Sequence, residues 1–170
     1  VVSYDIGDAT RNGITGMPVT AADRQKLLQS VDEQLNKEAA GAPLLVQQLL
    51  PSRNTVNAST PNFVREATEY YLTPRGAHPN AANRYVVTSP GLHMAYYPLE
   101  HMELISPRPV LLIAGSKAET LRFSQQAYDK AQQPKELMII PGASHFDLYD
   151  KPQFVNPALD KLAEFFGKNL

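Results

Sequence analysis

Two apolar segments near the C-terminus decide the fold: Pro109-Val-Leu-Leu-Ile-Ala-Gly115 and Glu136-Leu-Met-Ile-Ile-Pro-Gly-Ala-Ser-His145. Neither alternates with polar residues, which is typical of strands buried on both faces of a parallel sheet. Helical patterns are predicted between the two segments, over residues 123–132, and after them, from Asn156-Pro157 onward. The order from residue 107 is therefore strand, helix, strand, helix, which predicts a parallel β-α-β unit.

The second predicted strand leads directly into His145 through the small-residue turn Gly142-Ala-Ser144. Ligands gather at the carboxyl ends of parallel strands, and a histidine there can act as a base near neutral pH. The alternative is a histidine in a surface loop. Because its position and its chemistry agree, we predict that His145 is catalytic.

A histidine base needs a carboxylate to orient its ring, and two candidates follow predicted strands. Asp5 follows a predicted strand over residues 1–4, and Glu119 follows the strand that begins at Pro109. Each could instead be a solvated loop acid or a helix cap, and neither is preferred over the other. Asp147, two residues from His145, is expected to brace the loop.

Arg75 lies in the segment Tyr70-Tyr-Leu-Thr-Pro-Arg-Gly-Ala-His-Pro-Asn80. Its guanidinium could bind a substrate carboxylate through two parallel hydrogen bonds. The alternative, which we favour, is that Arg75 anchors a long loop through backbone carbonyls.

Composition excludes several classes of function. The 170 residues fit one domain, and a formal net charge of −1 without any basic run argues against nucleic-acid and anionic-membrane partners. No apolar stretch approaches the roughly 20 residues that a membrane helix needs. The chain has no cysteine, which excludes disulfides, thiolate nucleophiles and zinc-thiolate sites. Cysteine usage leaves the compartment open, with cytoplasm as the default.

Cofactor and metal motifs are missing as well. The spacing of His93, His101 and Glu103 matches no known ligand pattern, and the sequence contains no glycine-rich phosphate-binding loop. We therefore expect neither a metal nor a cofactor.

The N-terminal half is expected to be helices and loops. A loop is predicted over residues 5–16, and Thr20-Ala-Ala-Asp23 resembles a capping box that begins a helix ending before Gly41. Residues 44–50 are expected to form another helical turn or two. Thr60-Pro61 is expected to cap a third helix, and a short strand is predicted over residues 85–88.

No nucleophile can be identified. The motif Gly-x-Ser-x-Gly, which exposes a catalytic serine between a strand and a helix, is absent, and there is no cysteine to replace it. The sequence opens on Val1, inside a predicted strand. We therefore expect a fragment, a processed product or a partly ordered protein.

The residues from Pro109 to Phe166 resemble the C-terminal part of an α/β-hydrolase. More narrowly, Thr73-Pro-Arg-Gly-Ala-His-Pro79 and Ile105-Ser-Pro-Arg-Pro109 resemble a bacterial branch related to dienelactone hydrolases and serine-peptidase-like esterases. The resemblance implies an α/β class, namely a partial α/β-hydrolase fold with parallel strands, flanking helices and a helical cap insertion. It divides the chain into a core strand and loop (1–16), a cap (17–104) and a C-terminal core (105–170).

The resemblance also implies an activity. The family orders its triad as nucleophile, acid and histidine, which maps the histidine onto His145. The usual acid position is Ala118, one residue before Glu119, whereas an alternative acid position in the family matches Asp5. The nucleophile and the oxyanion loop would lie before Val1, and the substrate would be a small ester or related acyl compound.

Two other functions stay open. The chain could be a non-catalytic interaction fragment that associates with itself or with a complementary N-terminal half, because half a sheet exposes a strand edge. It could also be an independent acid-base enzyme that uses His145 and a carboxylate without covalent catalysis.

Overall fold

The computed structural model describes residues 4–170, which form two compact units. The helical unit is Ile6–Tyr96. The sheet unit combines Tyr4 and Asp5 with Tyr97–Leu170. The predicted division into a core strand and loop (1–16), a cap (17–104) and a C-terminal core (105–170) describes roles within a hydrolase. It stays a prediction.

The helical unit contains helices and short antiparallel strand pairs. Its elements, in chain order, are α1 (Ile6–Asn12), β1 (Gly13–Ile14), β2 (Met17–Pro18), α2 (Ala21–Ala39), β3 (Val46–Gln48), a 3-10 turn (Arg53–Thr55), α3 (Asn62–Tyr71), β4 (Arg84–Val86) and α4 (Ser89–Met94). Strand β1 pairs with β2, and β3 pairs with β4.

The capping box at the start of α2 is confirmed. The Asp23 amide donates to Thr20 Oγ1 at 3.2 Å, and the Thr20 amide donates to Asp23 Oδ2 at 2.9 Å. Two amides at the helix N-terminus, where no intrahelical acceptor exists, are thereby satisfied.

Two predictions for the N-terminal half need correction, and a third falls mostly on residues that the structure does not describe. The predicted strand over residues 1–4 lies mostly outside the described residues, and Tyr4 itself is not in a strand. The predicted loop over 5–16 contains α1 and the β1–β2 hairpin. Residues 44–50 hold the strand β3 rather than a helical turn, because Val46 pairs with the distant Val86 in a ladder that local periodicity does not report.

The sheet unit confirms the predicted order of strand, helix, strand and helix. A 3-10 turn (Met102–Ile105) is followed by β5 (Val110–Gly115), α5 (Leu121–Lys130), β6 (Lys135–Ile140), α6 (Asp147–Asp150) and α7 (Pro152–Asn169). Strands β5 and β6 are parallel, with Val110 opposite Lys135 and Gly115 opposite Ile140. Helix α7 begins five residues earlier than predicted, because Pro152, not Pro157, occupies its first position.

The core of the sheet unit lies directly under the loop that carries His145. Ile113, Ile140 and Ala143 are buried together. Side chains from β5, β6, α6 and α7 pack around them, namely Leu111, Met138, Leu148, Phe154, Ala158 and Leu162. The carboxyl ends of both strands are therefore fixed by packing. Within residues 4–170, none of the helices combines the length and apolarity needed to cross a membrane.

Candidate active site

The loop after β6 is shaped by its small residues. Gly142 has a φ of +78°, a left-handed conformation that glycine adopts without steric cost. Ser144 and Asp147 then form a reciprocal pair, in which the Ser144 amide donates to Asp147 Oδ2 at 3.0 Å and the Asp147 amide donates to Ser144 Oγ at 3.3 Å. This pair begins α6 and fixes the backbone on both sides of His145, which confirms that Asp147 braces the loop.

The charge of Asp147 is held in place by its partners. Burial opposes ionisation of this carboxyl, but a hydrogen bond from Lys151 and the bonds from Ser144 outweigh burial and lower its pKa. The contact with Lys151 is at the same time an ion pair, with Nζ 2.5 Å from Asp147 Oδ1. The carboxylate is therefore ionised at neutral pH and stabilises the loop by accepting the hydrogen bond from the Ser144 amide.

The loops that follow β5 and β6 are bonded to each other. The Ser116 amide donates to the Ile140 carbonyl at 2.9 Å, and the Lys117 amide donates to the Ala143 carbonyl at 2.9 Å. The Gly142 amide donates to Ser116 Oγ at 2.8 Å. These bonds set the distance between the turn that holds Glu119 and Thr120 and the turn that holds His145.

Gly115 permits this approach. A Cβ atom at that position would lie 2.2 Å from the Ala143 carbonyl oxygen, far inside van der Waals contact. The backbone of the His145 loop thus occupies the space that any other side chain would need. Glycine is required here by close packing of two backbones, not by an unusual φ.

His145 is buried, with 4% of its surface exposed, and both ring nitrogens lie against hydroxyl groups. Nδ1 is 2.6 Å from Thr120 Oγ1, and Nε2 is 2.7 Å from Tyr149 Oη. Thr120 is itself fully buried, whereas Tyr149 is 38% exposed. The imidazole therefore bridges the interior of the sheet unit and its surface.

The protonation state of His145 follows from its surroundings. Burial lowers its pKa from 6.5 to about 4, because an imidazolium would lose hydration there. The ring is neutral at pH 7. We assign the proton to Nδ1, because a phenol is a stronger donor than an alcohol, so Tyr149 donates to Nε2 and Nδ1–H donates to Thr120.

Aromatic rings surround the imidazole on several sides. The rings of Tyr4, Phe146 and Tyr149 contact it edge-on, with centroid distances of 6.4, 4.9 and 5.4 Å. Phe146 is buried. These rings exclude water and restrict rotation of the imidazole, which preserves the orientation set by the two hydroxyls.

Both predicted acids lie in the sheet unit with His145. Asp5 is buried, with 6% of its surface exposed. Glu119 is partly buried, its Oε2 is shielded from solvent, and it directly precedes Thr120. The structure therefore brings the turn containing Glu119 to the imidazole. The choice between Asp5 and Glu119 as the triad acid stays open.

Arg75 belongs to the helical unit, and its guanidinium lies over the ring of Tyr70 at 5.3 Å from the centroid. Such a contact between a cation and an aromatic face orients the side chain. A role of Arg75 in binding substrate stays a prediction.

Thr120 and Tyr149 were missed by the reasoning from sequence. Tyr149 could have been found, because it lies four residues after His145 at the start of a helix, where such spacing brings side chains together. Thr120 carries no local signal, because its contact with His145 spans 25 residues.

The described residues offer no cluster of three or more side chains of the histidine, cysteine, aspartate or glutamate type that could hold a metal ion. His101 and Glu103 lie 3.5 Å apart as a solvent-exposed pair.

Comparison with known proteins places this site in a familiar fold. No protein-family model matches the chain. The chain is similar to the uncharacterized protein PA2218 of Pseudomonas aeruginosa, with 37% identity over 175 residues that cover 100% of this chain and 46% of that protein. It is also similar to the uncharacterized protein YcjY of Escherichia coli K12, with 30% identity over 172 residues that cover 100% of this chain and 55% of YcjY. The chain thus spans about half the length of the curated relatives that it matches.

Solved structures also match most of this chain. The crystal structure of the hypothetical protein PA2218 superposes with a TM-score of 0.85 at 36% identity, over 98% of this chain and 51% of that one. DcsB in complex with its substrate analogue gives 0.70 at 19% identity, over 89% and 52% of the two chains. The α/β hydrolase GrgF from Penicillium sp. sh18 gives 0.58 at 20% identity, over 83% and 49%. The chain therefore has an α/β-hydrolase-like fold, present in part, with parallel strands and flanking helices.

Proposed function

We propose that this chain supplies the general base of a serine hydrolase that acts on ester or related acyl bonds. His145 is the base, and Asp5 or Glu119 is the acid that stabilises its protonated form. The nucleophilic serine comes from sequence outside these 170 residues, because the chain spans about half of its curated relatives and carries no Gly-x-Ser-x-Gly motif.

One observation carries the proposal: a buried, neutral imidazole at the carboxyl end of a parallel strand, with Nδ1 engaged by a buried hydroxyl. A base must present an unprotonated nitrogen, and burial keeps His145 neutral at pH 7. Because the same burial lowers its pKa to about 4 and weakens it as a base, the proposal requires the acid to stabilise the imidazolium that forms. Thr120 Oγ1, 2.6 Å from Nδ1, can accept the Nδ1 proton in the tautomer that leaves the lone pair on Nε2.

The proton movements follow from that tautomer. The serine hydroxyl attacks the acyl carbon while its proton passes to Nε2, which gives an imidazolium and a tetrahedral oxyanion. Collapse of this intermediate expels the alcohol, which takes the proton from Nε2 and leaves an acyl-serine. Water then repeats the sequence with the same base, which releases the acid and restores the serine.

A covalent probe for active-site serines tests this proposal on the full-length gene product that contains these residues. A fluorophosphonate should label one serine of the wild-type protein. His145→Ala should lower the labelling rate at least about 10³-fold, because the unassisted hydroxyl is a weak nucleophile. His101→Ala is the matched control, since the side chain of this histidine is 75% exposed and forms an ion pair with a neighbouring acid, Glu103. Equal labelling of the wild type and His145→Ala would contradict the proposal.

A second candidate function is self-association without catalysis. It is favoured by the sheet of β5 and β6, which has two strands among residues 4–170, whereas parallel sheets are usually larger and covered on both faces. Ile139 on β6 is 36% exposed. Light scattering after size exclusion distinguishes the cases, because a monomer of 18.8 kDa at all concentrations would argue against self-association.

A further inference from the structure

The hydroxyl of Tyr149 is hydrogen-bonded to Nε2 of His145, the nitrogen that the proposed base uses to take a proton. Its hydroxyl oxygen lies 2.7 Å from His145 Nε2, and its ring meets the imidazole edge-on at 5.4 Å. Since the opposite nitrogen already contacts Thr120, both polar atoms of the ring have partners in the resting protein.

We propose that Tyr149 is a positioning residue that latches His145: its hydroxyl donates to Nε2, holds the ring in one tautomer, and must leave Nε2 before a nucleophile can bind there. This inference rests on the proposed function of His145 as the base. It goes further by naming the group that covers Nε2 and the motion that uncovers it.

The surroundings of Tyr149 allow it to open. Its side chain is 38% exposed, so one side of the ring already faces solvent, whereas His145 is 4% exposed. Tyr149 lies in α6, a helix of four residues, and its ring packs edge-on against Phe146 at 5.6 Å. Rotation of Tyr149 breaks its hydrogen bond to Nε2 and loosens its ring contacts with His145 and Phe146, and Tyr149 is not part of the apolar cluster around Ile113, Ile140 and Ala143.

The direction of the hydrogen bond between Tyr149 and Nε2 distinguishes a latch from a contact that only packs the two rings together. If Tyr149 donates, Nε2 is an acceptor and Nδ1 carries the proton. If Tyr149 accepts, Nε2 carries the proton and the ring is in the tautomer that cannot take a proton from a nucleophile there. Nitrogen NMR distinguishes the two, because protonated and unprotonated imidazole nitrogens resonate in separate regions.

The test uses protein labelled with ¹⁵N-histidine at pH 7, in the wild type and in Tyr149→Phe, with His145→Gln to assign the signals. We expect an unprotonated Nε2 in the wild type. In Tyr149→Phe, the Nε2 signal should move toward that of an imidazole nitrogen without a hydrogen bond. Tyr128→Phe is the matched control, because the ring of Tyr128 lies under the ammonium group of Lys135, at 4.4 Å from the ring centroid to Nζ. A protonated Nε2 in the wild type, or an unchanged Nε2 signal in Tyr149→Phe, would overturn the latch.

A second measurement covers the opening step. Diethylpyrocarbonate acylates unprotonated histidine nitrogens, and peptide mass spectrometry reports the rate at His145. Tyr149→Ala should raise that rate about fivefold to tenfold, the range expected for loss of one hydrogen bond, and Tyr128→Ala should not. An unchanged rate would overturn the latch as well. Neither readout requires hydrolysis, so the latch can fail while serine labelling succeeds, and the reverse.

Discussion

At the scale of single residues, His145 couples the stability of the protein to pH. Its pKa is about 4 when folded and 6.5 when exposed, so the unfolded chain binds a proton that the folded chain excludes. The free energy of unfolding is therefore highest above pH 6.5 and falls as the pH drops toward 4. The loss is on the order of 3 kcal/mol, since each unit of pKa shift is worth about 1.4 kcal/mol.

Urea unfolding at pH 7.5 and pH 4.5 measures this coupling. His145→Gln should lose most of the stability difference between the two pH values, because glutamine does not titrate. His101→Gln should keep it, since that histidine is exposed. Identical pH dependence in the wild type and His145→Gln would show that burial of this imidazole does not govern acid stability.

Thr120 offers a second test at this scale. Thr120→Val keeps the shape of the side chain but removes the oxygen that faces Nδ1, which leaves a buried N–H without that acceptor. We expect a loss of about 1–3 kcal/mol in the free energy of unfolding. Thr120 makes no side-chain cap to α5, so the loss reports on the imidazole contact. Thr120→Ser, which keeps the hydroxyl, should lie near the wild type, and an equally large loss there would contradict this assignment.

At the scale of elements, the close approach of the two loops after β5 and β6 makes Gly115 critical. Gly115→Ala places a methyl group 2.2 Å from a backbone oxygen, so one loop must move. We expect a loss of about 1–3 kcal/mol, typical of overpacking, measured by chemical denaturation. The matched control is Gly167→Ala in α7, where no atom lies within 4 Å of the new Cβ and a gain of about 0.5–1 kcal/mol is expected. Wild-type stability in Gly115→Ala would mean that the loops are not held as described.

Elements with strong local signals were predictable from the sequence. The unbroken apolar runs predicted β5 and β6, and the capping box at Thr20 predicted the start of α2. Elements that depend on distant partners were not. Strand β3 forms because Val46 pairs with Val86, and α1 lies in a segment whose glycines favour a loop. Position at a strand end was enough to single out His145, but the contact with Thr120 depends on how two loops meet in space.

At the scale of the whole molecule, two compact units divide the chain, and the sheet unit holds His145, Asp5 and Glu119. Their partners in catalysis, under our proposal, lie in the other half of a protein about twice as long, as the lengths of PA2218 and YcjY suggest. Under that proposal, activity requires the longer protein, and the isolated chain is expected to be inactive toward esters.

Steady-state hydrolysis of a short p-nitrophenyl ester by that full-length product tests the central claim most directly. Because the serine loses its base, His145→Ala should lower kcat by about 10³-fold or more, while KM changes little. His101→Ala should keep the wild-type kcat. A His145→Ala protein that hydrolyses the ester as fast as the wild type would contradict the assignment of this histidine as the base.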